Sequence, residues 1–230
     1  MRKQNYTQIF AATVEVSGSE LAVRQLGVRD ELDYQKQQRL RELVRDLENC
    51  VINGIAPTTA QEGSATVRRT MRGLVPSIVT NVFTPGSGGF PAETTLTEEQ
   101  LNLALRWIWK GSSGNVDTIV VNGAQKRAIN NFLQSGRRFS ADGESFKSLV
   151  SVYESDYGVC RVVLSRFVPS GCILLLDSSR IEVMPLAARS FHYKPLASTG
   201  DRESGQLIGE YTLEFRNEEA HALIKGMTDD

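Results

Sequence analysis

The sequence predicts an α+β protein, and three observations carry that expectation. A long amphipathic helix occupies residues 28–54, and a helix–strand–helix stretch follows at 97–133. From Phe146 onward the chain reads as successive strands. With 230 residues the chain has length for one large domain or two small ones.

The first element in order is QIFAATVEVS, Gln8–Ser17, rich in β-branched residues and alternating at Ile9 and Ala11 before the phase breaks. Nothing before it offers a local partner, so this strand calls for one from elsewhere in the chain or from another chain. Gly18 and Gly27 then bracket SELAVRQL, a helical turn leading into the long helix.

Val28 to Gly54 contains strong helix formers, no proline, and no glycine before its end. Leu32, Leu40, Leu43, Val44, Leu47 and Val51 share one stripe, while Arg41, Glu42, Arg45, Asp46 and Glu48 face away. Gly54 is suited to a left-handed cap, and Pro57 prevents resumption. At 1.5 Å per residue such a helix is about 40 Å long, against a usual length of about 11–12 residues. It either crosses the core of one domain or is a spine from which separate sub-structures hang.

Residues 55–73 read as a long polar loop carrying Arg68, Arg69 and Arg72. Those arginines form a solvated or salt-bridged face, with a phosphate or inter-subunit contact as the second reading. Leu74–Phe83 is a strand candidate broken by Pro76, hence an edge or bulge. TPGSGGFPAE, residues 84–93, is rich in glycine and proline and marks a domain boundary.

Thr97 and Gln100 form a capping box, with Leu96 and Leu101 placed as a staple; Leu101, Ala104, Leu105 and Ile108 carry the apolar face as far as Lys110 and Gly111. DTIVVN (117–122) is a short strand leading through Gly123 into the helix AQKRAINNFL (124–133). FKSLVSVYE and VCRVVLSRF flank the turn SDYG, and CILLLD (172–177) is a fully buried strand. DSSR turns the chain into IEVMPL, and residues 188–205 are polar and irregular. In the terminal GEYTLEF, Tyr211, Leu213 and Phe215 alternate against Glu210, Thr212 and Glu214, as in a half-buried strand.

Lys and Arg total 26 against 27 Asp and Glu, a net charge of -1 that gives no global pull toward nucleic acid or membrane. No apolar run is long enough to cross a bilayer, and MRKQNYTQIF lacks the apolar core of a signal peptide. Cys50, Cys160 and Cys172 have no CxxC spacing and read as reduced, buried thiols. His192 and His221 have no second ligand at metal spacing, and His221 reads as structural. There is no GxSxG elbow, and Gly86, Gly88 and Gly89 lack the strand, helix start and GK[ST] of a phosphate loop. Glu98–Glu99 complements a helix start and Asp229–Asp230 is a tail. No catalytic, cofactor or metal site emerges. A chain with a spine, an unpaired strand and long loops reads as a building block.

The run TVEVSGSELAVRQLGVRDELDYQKQQRLRELVRDLENCVING resembles the E-loop return strand and spine helix of tailed-phage major capsid proteins with the Hong Kong 97 fold. Within them it is similar to a branch first known only as a domain of unknown function. RRTMRGLVPSIVTN, LTEEQLNLALRWIWKGSSG, DTIVVNGAQKRAINNFL, VYESDYGVCRVVLSRFVPSGCILLLD and GDRESGQLIGEYTLEFRNEEAHALIKGM extend the resemblance in order, from about Asn5 to Met227. It implies a structural shell subunit rather than an enzyme, with no cofactor. Residues 1–27 would be a partial E-loop, 28–93 with 205–230 a peripheral domain, and 94–204 an axial domain.

Ile9, Phe10, Arg68, Arg69 and Arg72 become candidate subunit contacts. The implied partners are other copies in pentamers and hexamers, portal and scaffold proteins, and non-specifically packaged double-stranded DNA, with no membrane. The virion capsid would be the location, after assembly in the bacterial cytoplasm. A cargo-enclosing nanocompartment shell of the encapsulin kind is the alternative, and an enzyme with a dispersed site a third. The family's N-terminal arm and outgoing E-loop strand have no counterpart in the match. The strand at Gln8–Val16 is therefore expected to be disordered or paired with another copy, and the chain to be a folded monomer or small oligomer without closed shells.

Overall fold

The computed structural model describes residues 4–23, 30–136 and 152–229; Val28 and Arg29 of the expected spine, 24–26 of the turn before it, and 146–151 of the expected strand lie outside them. In chain order the elements are β1 (Gln8–Ser17), α1 (Gly18–Ala22), α2 (Glu31–Asn53), α3 (Leu74–Ser77), β2 (Val82–Phe83), α4 (Glu98–Gly111), β3 (Thr118–Val121) and α5 (Gly123–Gly136). Then follow β4 (Val152–Ser155), β5 (Gly158–Leu164), β6 (Ile173–Leu176), β7 (Ile181–Pro185), β8 (His192–Pro195), β9 (Arg202–Phe215) and β10 (Ala222–Ile224). Two compact units result, one from residues 1–73 with 183–214, the other from 74–182 with 215–230.

In the first unit α2 is the spine, 23 residues and so about 35 Å long. Asp30 opens it, its side chain accepting from the Asp33 N–H at 3.1 Å. Gly54 ends it differently from expectation, at φ -52 rather than in the left-handed region. Glycine is needed there for space: a Cβ would lie 2.4 Å from Cys50 O and 2.7 Å from Met71 O. The stripe also differs, since only Leu43 and Ile52 are buried, while Leu40 and Val44 remain 37% and 50% exposed.

The strand β1 is ordered and its partner lies in the same chain, which corrects the expectation of disorder or a foreign partner. It pairs antiparallel with β9 from Gln8↔Tyr211 to Ser17↔Arg202 without a bulge. Two hundred residues of separation made that pairing illegible locally. The sheet order is β1-β9-β7, with β8 pairing β9 as well. Residues 188–205 are thus not irregular throughout: His192–Pro195 and the first residues of β9 form a ladder, His192↔Ile208 to Pro195↔Gly205.

The second unit is a six-stranded sheet ordered β2-β10-β6-β3-β5-β4. β6 lies antiparallel between β10 and β3, and all four of its residues are buried. β3 and β5 run parallel, so the chain between them crosses over by way of α5. The capping box of α4 is formed, with Thr97 N donating to Gln100 Oε1 at 3.0 Å and Gln100 N donating to Thr97 Oγ1 at 3.3 Å. Leu96, Leu101, Ala104, Leu105 and Ile108 join Ile119, Val121, Ile129, Ile173 and Leu175 in one core. In the β4–β5 hairpin, Gly158 takes φ +142, where a side chain would be strained.

Two further expectations are corrected here. Leu74–Phe83 is a short helix followed by a two-residue strand, because Pro76 sits in a first helical turn where its missing N–H costs nothing. Residues 84–93 do not divide the compact units, which part at 73/74. Phe90 of that stretch is buried and stacks on Phe83 at 5.4 Å, tying the glycine-rich turns into the second unit.

Candidate assembly surface

The arginine-bearing loop is held from several sides, all within the first unit. Asn5 Nδ2 donates to Arg72 O at 3.0 Å and to Leu213 O at 2.9 Å, while Arg72 N donates to Asn5 Oδ1 at 2.8 Å. Arg69 does not face solvent freely: its Nη2 meets Glu210 Oε1 at 2.5 Å. Glu210, nearly buried on β9, also accepts from Thr7 Oγ1 at 2.5 Å. Arg189 Nε lies 2.8 Å from Glu210 Oε2, close enough for an ion pair though outside hydrogen-bond alignment. Alternation along GEYTLEF places Glu210 on a solvent face, and two guanidiniums are the reason it is buried instead.

The three arginines therefore part company. Arg69 is structural, whereas Arg68 and Arg72 are exposed and keep their side chains for other work. The strand candidates divide likewise. Ile9 is 49% exposed, but Phe10 is buried and meets Phe191 edge-on at 6.4 Å. Beside them, between β1 and α2, opens a cleft of about 270 Å³ lined by Gln8, Ile9, Phe10, Ala11, Leu43, Asp46, Asn49 and Cys50.

In the second unit, α4 carries Trp107 and Trp109 on its outer side, 51% and 66% exposed. Trp107 meets Phe83 edge-on and Trp109 lies against Tyr157, each at 6.0 Å. Both indoles fall off the helix's buried stripe, and that was the signal in the sequence that could have marked them.

His221 Nδ1 accepts from the Asp177 N–H at 3.2 Å, and Nε2 faces Arg216 O at 3.3 Å, which fixes a neutral tautomer. Its ring stacks on Phe215 at 4.4 Å, and burial lowers its pKa. Cys50, Cys160 and Cys172 are free, and burial raises all three thiols, Cys160 to about 11. Thiols so placed stay protonated and act as small apolar groups. Among the described residues no group of His, Cys, Asp or Glu is placed to hold a metal ion, and no helix is long and apolar enough to cross a membrane.

The comparisons with known proteins bear on this surface-dominated molecule. The profile of the SU10 major capsid protein matches residues 1–228. The chain belongs to that family. It is a structural subunit of a phage capsid shell, not an enzyme, and its place is the virion. The fold is shared with solved shells at low identity. The SrpI encapsulin of Synechococcus elongatus PCC 7942 superposes with a TM-score of 0.66 at 13% identity, covering 97% of this chain and 75% of that one. The cyanophage A-1(L) capsid gives 0.65 at 11% identity, covering 96% and 77%. The capsid protein's α+β fold is thus of the Hong Kong 97 type, as the sequence resemblance implied. No curated protein matches it.

Proposed function

We propose that this capsid subunit assembles into pentamers and hexamers, with the α2-containing unit as the peripheral domain and the six-stranded unit as the axial domain. The observation that carries the reading is the whole-chain family match, which takes in both compact units. Residues 1–27 act as part of an E-loop, and Ile9, Arg68 and Arg72 contact neighbouring subunits. Phe10 and Arg69 support those contacts from inside the chain. Contacts with packaged double-stranded DNA are independent of base sequence, in keeping with a net charge of -1. Portal and scaffold proteins complete the shell, which is built in the host cytoplasm; a satellite phage P4 procapsid with its size determination protein is among the structural neighbours.

The test is electron microscopy of the purified full chain, with the particles' contents analysed. Closed particles around DNA, or empty shells competent to take it up, support the capsid. Particles filled with a specific protein would favour the encapsulin reading, which the SrpI superposition keeps in play.

A further inference from the structure

We propose that the tryptophan-bearing face of α4 docks on the outward face of the β4–β5 hairpin of a second copy of this chain, a head-to-tail contact within rings of subunits. Both patches belong to the second compact unit. Trp107 and Trp109 are more than half exposed and yet held in place: Phe83 meets the first edge-on and Tyr157 lies against the second, each at 6.0 Å. Side chains already fixed by a neighbour lose little rotamer freedom on docking. Arg106 is exposed beside them and makes no ion pair among the described residues. Trp, Tyr and Arg are the side chains that carry most binding energy between proteins.

The second patch faces the other way. Tyr153 of β4 donates its hydroxyl to Asn102 Oδ1 of α4 at 3.0 Å, and Cys160 and Val162 of β5 join the core that α4 covers. By alternation Val152, Glu154, Val159 and Arg161 point to the opposite face of the sheet. The register sets Val152 across from Arg161 and Glu154 across from Val159, so the four form one cluster. Both valines are at least half exposed, and Glu154 is exposed with no ion pair among the described residues. Further into the sheet the same face is closed: Val163 pairs with Val120, and Val120 with Leu174, which is buried. The hairpin end stays bare.

A second copy is the occupant because the two patches are complementary. The indoles meet a shallow apolar surface of two valines, and the Arg106 guanidinium meets the Glu154 carboxylate. Arg161, diagonal to Glu154, offers a cation to an indole face. The patches lie on opposite faces of one sheet, so each copy docks forward with one and backward with the other. Such a heterologous contact closes into a ring when the rotation fits. The inference rests on the capsid reading for the presence of neighbouring copies, and it names the surfaces through which they meet.

Light scattering after size exclusion tests it on the full chain, with circular dichroism to verify folding. Trp109→Ala spoils one patch and Val159→Asp the other, and both replace exposed side chains. Each variant should fold like the parent and remain monomeric alone. Mixed in equal amounts they should form heterodimers and nothing larger, because one intact α4 face then meets one intact hairpin face. Arg106→Glu and Glu154→Arg should each lose assembly, and the double variant should regain it, which a merely structural role for either residue would not produce. Shells that form unchanged in the folded single variants, or a mixture that yields no heterodimer, overturn the contact and leave the capsid reading standing. Heterodimers from the mixture with only open oligomers from the parent support the contact and count against the capsid reading. A parent chain that stays monomeric at every concentration overturns the contact as well.

Discussion

At the residue scale, neighbours in sequence have opposite fates. Arg69 closes an ion pair on the buried Glu210, so Arg69→Ala removes a charge-assisted contact and leaves the carboxylate to Arg189 and the Thr7 hydroxyl. About 1–3 kcal/mol of stability should be lost, with Arg69 partly exposed and the effect toward the lower end. Arg68→Ala should stay within about 0.5 kcal/mol, since that side chain is exposed and makes no ion pair among the described residues. Urea unfolding of the two variants decides it, and equal midpoints would deny the network its role. His221 gives a pH dependence. Its folded pKa is lowered by burial, so the unfolded state takes up a proton first as pH falls below about 6.5, the ordinary histidine value. The stability from the neutral ring is present above that pH and drains away below it. Melting temperatures from pH 8 to 5 should fall more steeply for the parent than for His221→Gln. Parallel curves would show that the ring titrates alike in both states.

At the element scale, α2 is where pattern and packing diverge. Leu43 is buried and Val44 half-exposed, although both lie on the stripe that the periodicity defines. Leu43→Asp places an unpaired charge in the packed face and should cost several kcal/mol. Val44→Asp should change the melting temperature of the unassembled chain little, and a collapse of that variant would mean its exposure is illusory. What the sequence disclosed tracks how local each element is. The α4 capping box, the buried β6 and the β4–β5 turn were legible because neighbours within a few positions determine them. Pro76 was misread as breaking a strand, since the same residue also opens a helical turn. β8 and the start of β9 were invisible because residues 188–205 show no sustained alternation of apolar and polar residues, and β1 waited on a partner near the far end of the chain. Of the proposed contacts, Arg68 and Arg72 lie on the surface, but no local pattern could reveal that Glu210 captures Arg69. The exposed indoles of α4 lie outside the buried stripe, and apolar periodicity defines only that stripe.

At the scale of the whole molecule the deciding quantity is charge. With 26 basic against 27 acidic residues, no net field draws this capsid protein toward DNA, and its arginines are partly consumed by internal pairs. Exposed cations such as Arg68 can touch phosphates, but phosphate contacts position a duplex without reading it. The free energy of such contacts comes from released counterions and falls steeply as salt rises. Any association with duplex DNA should therefore be weak, indifferent to base sequence and abolished between about 50 and 200 mM salt. Fluorescence anisotropy with two unrelated duplexes across that range measures it. Matching curves that vanish together fit a wall that surrounds DNA without gripping it. A preference for one duplex that survives at about 200 mM salt would require base-edge contacts and would refute that account.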